Sequence, residues 1–252
     1  MELFTHFGNG SVLIIAFGGY RQDMRNFIPL VEQTQDAFQW LLVHLPFINP
    51  ESSIQNKLTP DGLTQIIHSQ LQKYRYQKVY LLGFSIGGRI AQVIFLRSPE
   101  KFNGLILINT DGLKKHFLQW ATEKKWLSEQ FLYQVIEQTN FWRCLIQLAY
   151  KMRFIPAKRK NFYLKHIQNT HRRKILIKIW KMYADFKPNL NQLFKYRDKV
   201  VLIWSKQDEV LPFKIGIRAA QKLNITLHSV EGGHNIIESQ PIKVAGILNS
   251  VI

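Results

Sequence analysis

The stretch Val79-Tyr-Leu-Leu-Gly83-Phe84-Ser85-Ile86-Gly87-Gly88 joins an apolar run of strand length to a helical pattern through a G-x-S-x-G turn. The spacing has a mechanical basis. A serine on a very tight strand-to-helix turn is forced into a strained backbone conformation, and its neighbours two before and two after must be small to clear the turn. Such a turn lifts the Ser85 hydroxyl above the sheet. It also sets the Ile86 amide at a helix N-terminus, where the helix dipole favours developing negative charge. The same pentapeptide also fits a glycine-rich connection without chemistry, so the rest of the chain has to decide between the two.

Outward from this turn the chain alternates strands and helices. Val12–Phe17, Trp40–His44, Leu105–Asn109 and Val200–Trp204 are short apolar runs followed by turn residues, and Ile225–Val230 reads as a further strand. Continuous rather than alternating apolar character suits strands buried on both faces of a parallel sheet. Helical spacing of Leu63, Ile66, Ile67 and Leu71 begins at Pro60, and a second helix runs from Ile86 to Leu96, closed by Ser98-Pro99. The expected fold is α/β with a mostly parallel sheet. Two further groups then fall just past strand ends, the edge where open α/β sheets keep their sites. Asp208 follows Val200–Trp204, and His234 follows Ile225–Val230. A serine hydroxyl needs a base, and the base needs a carboxylate to hold its tautomer, so Ser85, Asp208 and His234 form a candidate catalytic set. Asp111, just after Leu105–Asn109, is a rival acid. Glu231 is expected to shape the turn before His234.

Charge divides the chain. The net charge is +17, from 34 Lys and Arg against 17 Asp and Glu. Gly112–Lys187 holds 17 of those basic residues but 4 of the acids, a net of +13. No glycine lies between Gly112 and Gly216, so this basic, aromatic-rich segment is expected to be helical. The expected domains are a core of 1–111 with 190–252 and a helical insertion of 112–189. The 46% hydrophobic composition excludes a disordered chain, and the single Cys144 excludes a disulfide framework or a cysteine-built zinc site. The chain starts without a basic leader or a small-residue cleavage site, and no apolar run approaches the roughly 18 residues of a membrane span. A cytoplasmic protein is expected.

These residues together resemble the α/β-hydrolase fold family over essentially the full length, with a lid inserted after the sixth strand. The resemblance implies Ser85 as nucleophile, Asp208 as the acid after the seventh strand and His234 as the base after the eighth. Phe17-Gly18-Gly19-Tyr20 resembles the loop that supplies the second oxyanion amide, which implies donors at Gly19 and Ile86 with Gly18 allowing close approach. Two positions depart from the pattern. Phe17 stands where the loop usually opens with histidine, and Ser205 replaces a glycine common before the acid. A serine nucleophile resembles esterases, thioesterases, lipases and peptidases and differs from haloalkane dehalogenases, which use a carboxylate. The implied reaction is two-step acyl transfer needing no metal or organic cofactor. Lys158-Arg159-Lys160 and Arg172-Arg173-Lys174 are candidate contacts for an acidic acyl carrier, an acyl-CoA or another anionic acyl donor. The alternatives are a binding module for nucleic acid or an anionic membrane with an idle triad, or a cofactor-free lyase or perhydrolase on the same triad. No specific nucleic-acid motif accompanies the charge.

Overall fold

A computed structural model of the chain describes residues 3–20, 24–45, 59–113, 138–155, 157, 160, 161, 164 and 182–252. The chain forms two compact units, Met1–Lys114 with Phe186–Ile252, and Lys115–Asp185. The junctions lie slightly inside the span expected from composition because the flanking residues attach to the first unit. Buried Arg89 donates from Nε to the Phe186 carbonyl at 2.6 Å. Gly112, at φ +93, lies so close to Pro188 that a Cβ would come within 2.6 Å of its ring.

Among its described residues the first unit holds a sheet of seven strands: β1 (Phe4–Phe7), β2 (Val12–Phe17), β3 (Phe38–Val43), β4 (Lys78–Phe84), β5 (Gly104–Ile108), β6 (Val200–Ser205) and β7 (Leu227–Val230). The order is β1-β3-β2-β4-β5-β6-β7, with β1 antiparallel to β3 and every other pair parallel. Among the described residues one antiparallel strand precedes β2, and counted over these strands the basic segment follows the fifth, Asp208 the sixth and His234 the seventh. β1 carries no continuous apolar run that would mark it in the sequence. It is an edge strand, with Thr5 Oγ1 2.6 Å from His44 Nε2.

The described α-helices are α1 (Ile28–Glu32), α2 (Pro60–Leu71), α3 (Ile86–Arg97), α4 (Thr139–Lys151), α5 (Leu190–Phe194), α6 (Phe213–Leu223), α7 (Ile236–Ser239) and α8 (Pro241–Val251), with short 3-10 helices at Met24–Phe27, Pro99–Lys101 and Arg197–Lys199. β2, β3 and β5 are buried almost throughout, as strands covered on both faces must be. Ile14, Ala16, Leu82, Ile106 and Ile203 point to one face, where Leu30, Val31, Val244 and Leu248 of α1 and α8 close the core. α3 packs across β2, β4 and β5. Thr59 caps α2 by accepting from the Gly62 amide at 3.0 Å, with Pro60 in the first helical turn. α6 ends on left-handed Asn224, and the Ile225 amide still bonds Ala220. That helix termination delays β7 to Leu227, two residues past the strand start expected from the sequence.

Of the second unit, α4 is described. Phe141, Leu145, Leu148 and Met152 on or next to it are exposed. Among the described residues no helix is long and apolar enough to cross a membrane.

Candidate active site

Strand order reverses between β2 and β4, because the chain passes from β2 to β3 on one side and returns to β4 on the other. Such a switch point leaves a crevice at the carboxyl ends of the strands. Gly19 and Ser85 lie on its two sides. Ser85 has φ 53 and ψ −124, a region disfavoured for a residue with a Cβ, at a cost of about 1–3 kcal/mol. Surrounding structure holds it there. The Ser85 amide donates to the Ile108 carbonyl at 3.1 Å, and the Ser85 carbonyl accepts from the Gly88 amide at 3.1 Å and the Asp111 amide at 2.8 Å.

The glycines of the turn are dictated by space. A Cβ on Gly83 would come within 2.3 Å of Gly88 Cα, and one on Gly87 within 2.2 Å of the Phe17 carbonyl oxygen. On Gly88 it would meet Thr110 Oγ1 at 1.8 Å. The start of α3 is thus pressed against the loop after β2. In that loop a Cβ on Gly19 would meet the Phe84 ring at 2.9 Å and Ser85 Cβ at 3.1 Å. The Gly19 backbone therefore passes directly beside the serine, and Ile86 opens α3 immediately after it. Phe17 itself is fully buried at the end of β2, so it contributes its backbone to this contact.

His234 Nε2 lies 3.0 Å from Ser85 Oγ, and His234 Nδ1 lies 2.6 Å from Asp208 Oδ2. The other Asp208 oxygen accepts from the Val210 and Leu211 amides, each at 2.8 Å. A carboxylate in this position accepts a hydrogen bond from Nδ1–H, which leaves the Nε2 lone pair facing the Ser85 hydroxyl. The loop carrying Asp208 is anchored from below. Trp204 Nε1 donates to the Leu211 carbonyl at 2.8 Å, and Gly216 lets α6 approach the Trp204 ring.

The rival acid sits elsewhere. Asp111 Oδ2 is 3.9 Å from Arg89 Nη1, and His234 is paired with Asp208. Glu231 accepts from Lys206 Nζ at 2.6 Å and from Gln207 Nε2, joining the loops after β6 and β7. These two hydrogen bonds, that of Lys206 first, hold its carboxyl below the usual glutamate range. Of the six lid cations singled out in the sequence, Lys160 is described, its ammonium 4.2 Å from the centre of the Tyr150 ring. Lys158, Arg159, Arg172, Arg173 and Lys174 lie outside the described residues. Among the described residues no cluster of three or more His, Cys, Asp or Glu is placed to hold a metal ion.

Two contributors escape sequence reasoning. Phe84, the variable residue before the serine, packs its ring 5.0 Å from that of His234. Asn109, read as the last residue of an apolar run, turns back at φ 41 and reaches the His234 loop. Only an asparagine following a strand end marks it in the sequence, and asparagine is among the residues that tolerate this backbone region.

A family model described as the alpha/beta hydrolase fold matches residues 12–241. An uncharacterized hydrolase of Bacillus subtilis, YugF, is 23% identical over 94% of this chain and 89% of its own length. The pimeloyl-[acyl-carrier protein] methyl ester esterase of Wigglesworthia glossinidia brevipalpis is 25% identical over 97% of this chain and 95% of its own. Among solved structures, MenH from S. aureus superposes with a TM-score of 0.64 at 17% identity, covering 100% of this chain and 98% of that one.

Proposed function

This chain belongs to the α/β-hydrolase fold family, and from that premise we propose that it is a serine hydrolase of carboxylic esters or thioesters, working through an acyl-enzyme on Ser85. The observation that carries this reading is the unbroken hydrogen-bonded series Asp208–His234–Ser85, ending on a serine held in strained backbone geometry. In the proposed sequence Ser85 Oγ attacks the substrate carbonyl as its proton passes to His234 Nε2. Asp208 stabilises the resulting imidazolium and keeps the ring oriented. The Gly19 and Ile86 amides receive the oxyanion. His234 then protonates the leaving alcohol or thiol, and afterwards takes a proton from the water that cleaves the acyl-enzyme. The chemistry calls for no cofactor.

The preferred acyl donor in this proposal is anionic or carrier-bound. Two observations support it: the net +13 of Gly112–Lys187, and the similarity to an esterase named for an acyl-carrier-protein substrate. Lys158, Arg159, Lys160, Arg172, Arg173 and Lys174 are the proposed contacts. The test has two arms. A fluorophosphonate probe should label Ser85 and fail on Ser85→Ala. p-Nitrophenyl esters and acyl-thioesters of graded length, free and carrier-bound, should then rank the donors. A binding module with an idle triad would show neither labelling nor turnover.

A further inference from the structure

We propose that Asn109 is a positioning residue that fixes the distance between Ser85 and His234 by anchoring both from one turn, an inference that rests on the hydrolase reading above. The turn is Ile108–Asp111, at the end of β5. On one side it holds the nucleophile, since the Ile108 carbonyl accepts from the Ser85 amide at 3.1 Å and the Asp111 amide donates to the Ser85 carbonyl at 2.8 Å. On the other it holds the base. Asn109 Nδ2 donates to the His234 carbonyl at 2.6 Å.

The Asn109 side chain is fully buried, and its hydrogen bonds are of a kind that only a side-chain amide supplies. Nδ2 has two protons, one for the His234 carbonyl and one for Ser205 Oγ at 3.0 Å. Oδ1 accepts from the Ser205 amide at 2.8 Å. The Ser205 amide must find an acceptor and the His234 carbonyl a donor, so the network itself fixes which way the amide points. Its backbone belongs to the same arrangement. The Asn109 amide extends the β5–β6 ladder by donating to the Ile203 carbonyl at 3.0 Å, and φ 41 then swings the side chain across the ends of β6 and β7. The departure at Ser205 fits here, because its hydroxyl occupies the second Nδ2 proton that a glycine would leave without this partner.

The His234 ring thus has three supports: Asp208 on Nδ1, the Phe84 ring on its face and Asn109 on its own main chain. Asp208 governs tautomer and tilt. Asn109 governs where the loop stands relative to Ser85, which is the quantity that sets the Ser85–His234 separation of 3.0 Å.

The test uses Asn109→Asp and Asn109→Gly in the full chain. Aspartate keeps the shape and the bond from the Ser205 amide, but turns an acceptor toward the His234 carbonyl. Glycine adopts the left-handed backbone freely and removes the side chain. Active sites are titrated with the fluorophosphonate, and turnover of p-nitrophenyl acetate is measured per titrated site. Turnover per site should fall on the order of a hundredfold in both variants, with KM little changed, since small displacements of a catalytic group act on the chemical step. Ser205→Gly keeps the bond to the His234 carbonyl and should lose far less. NMR of the His234 imidazole reads the clamp without any substrate, and its ring resonances should move in Asn109→Asp. Unlabelled parent protein would defeat the hydrolase reading while leaving this NMR measurement to judge the clamp. Unchanged turnover per site with unchanged His234 resonances, or failure of both Asn109 variants to fold, would overturn the proposal.

Discussion

Asp208 presents one carboxylate oxygen to His234 Nδ1 at 2.6 Å while two backbone amides occupy the other, and its side chain has no exposure to solvent. The orientation of the group is therefore set before the histidine is considered. In Asp208→Asn the remaining oxygen should stay with the Val210 and Leu211 amides, which turns the new NH2 toward His234 Nδ1. A donor there favours the tautomer with its proton on Nε2, the wrong one for accepting from Ser85. Turnover should drop about 10³–10⁴-fold with the fold intact. Asp111→Asn should cost less than about tenfold, its carboxylate being turned to Arg89. Steady-state kinetics of the two variants checks the assignment, and the reverse ranking would make Asp111 the acid.

Ser85, the proposed nucleophile, also carries the backbone strain of its turn. Ser85→Ala and Ser85→Gly should both abolish fluorophosphonate labelling and ester turnover. They should differ in stability. Alanine keeps the penalty of φ 53, and glycine does not, so Ser85→Gly should unfold later than Ser85→Ala by about 1 kcal/mol in urea titrations. Equal midpoints would mean that the turn holds no usable strain.

Gly87 shares its space with the loop that follows β2. Gly87→Ala would bring a Cβ within 2.2 Å of the Phe17 carbonyl oxygen and 2.4 Å of the Gly18 carbonyl oxygen, both backbone atoms. Either α3 or the loop must move. Stability should fall by about 2–4 kcal/mol, and the folded fraction should turn over substrate more slowly with KM less affected. Thermal unfolding together with per-site kinetics separates the two effects. A variant as stable and as active as the parent would remove the case for a close-packed loop at Gly19.

His68 on α2 gives the fold an acid-sensitive element away from the site. Burial, aided by the Lys101 charge and opposed by Glu100, lowers its pKa in the folded protein. The unfolded chain then binds more protons at this residue as the pH falls below about 6.5. The stability it contributes is full above that value and declines as the pH drops toward the lowered folded value. Replacing it by leucine should flatten stability against pH across this window, read as urea midpoints between about pH 5 and 7.5. An unchanged slope would place the acid sensitivity in other groups.

The basic segment makes a separate prediction about substrate. Reversing three of the charges at Lys158, Arg159, Lys160, Arg172, Arg173 and Lys174 should lower kcat/KM for a carrier-bound or anionic acyl donor and spare a small neutral ester. Salt should have the same selective effect on the parent protein, because the screening length shortens from about 10 Å at 0.1 M to about 3 Å at 1 M. Equal losses on both substrates would point to damaged packing, and no loss on either would leave the charge without a role in catalysis.

The sequence by itself determined the α/β alternation, because continuous apolar runs of strand length bounded by turn residues suit strands covered on both faces and alternate with helical spacing. It also marked Ser85, since the glycines at 83 and 87 are required wherever a strand enters a helix through so tight a turn. Asp208 and His234 were legible for a related reason: each follows a strand end, and parallel topology brings all such ends to one edge. β1 was not legible, because an edge strand buries one face and Phe-Thr-His-Phe has no period that separates it from a loop. The beginning of β7 was hidden by the left-handed close of α6, which keeps Ile225 bonded to the helix. The sequence already favoured Asp208 over Asp111 as the acid, and the tertiary structure sets Asp208 Oδ2 2.6 Å from His234 Nδ1 while Asp111 Oδ2 lies 3.9 Å from Arg89 Nη1. Only the tertiary structure revealed Phe84 and Asn109. Their residue types are ordinary, and what distinguishes them is the position of the His234 loop, which is distant in the chain and set by the packing of β5, β6 and β7 side by side.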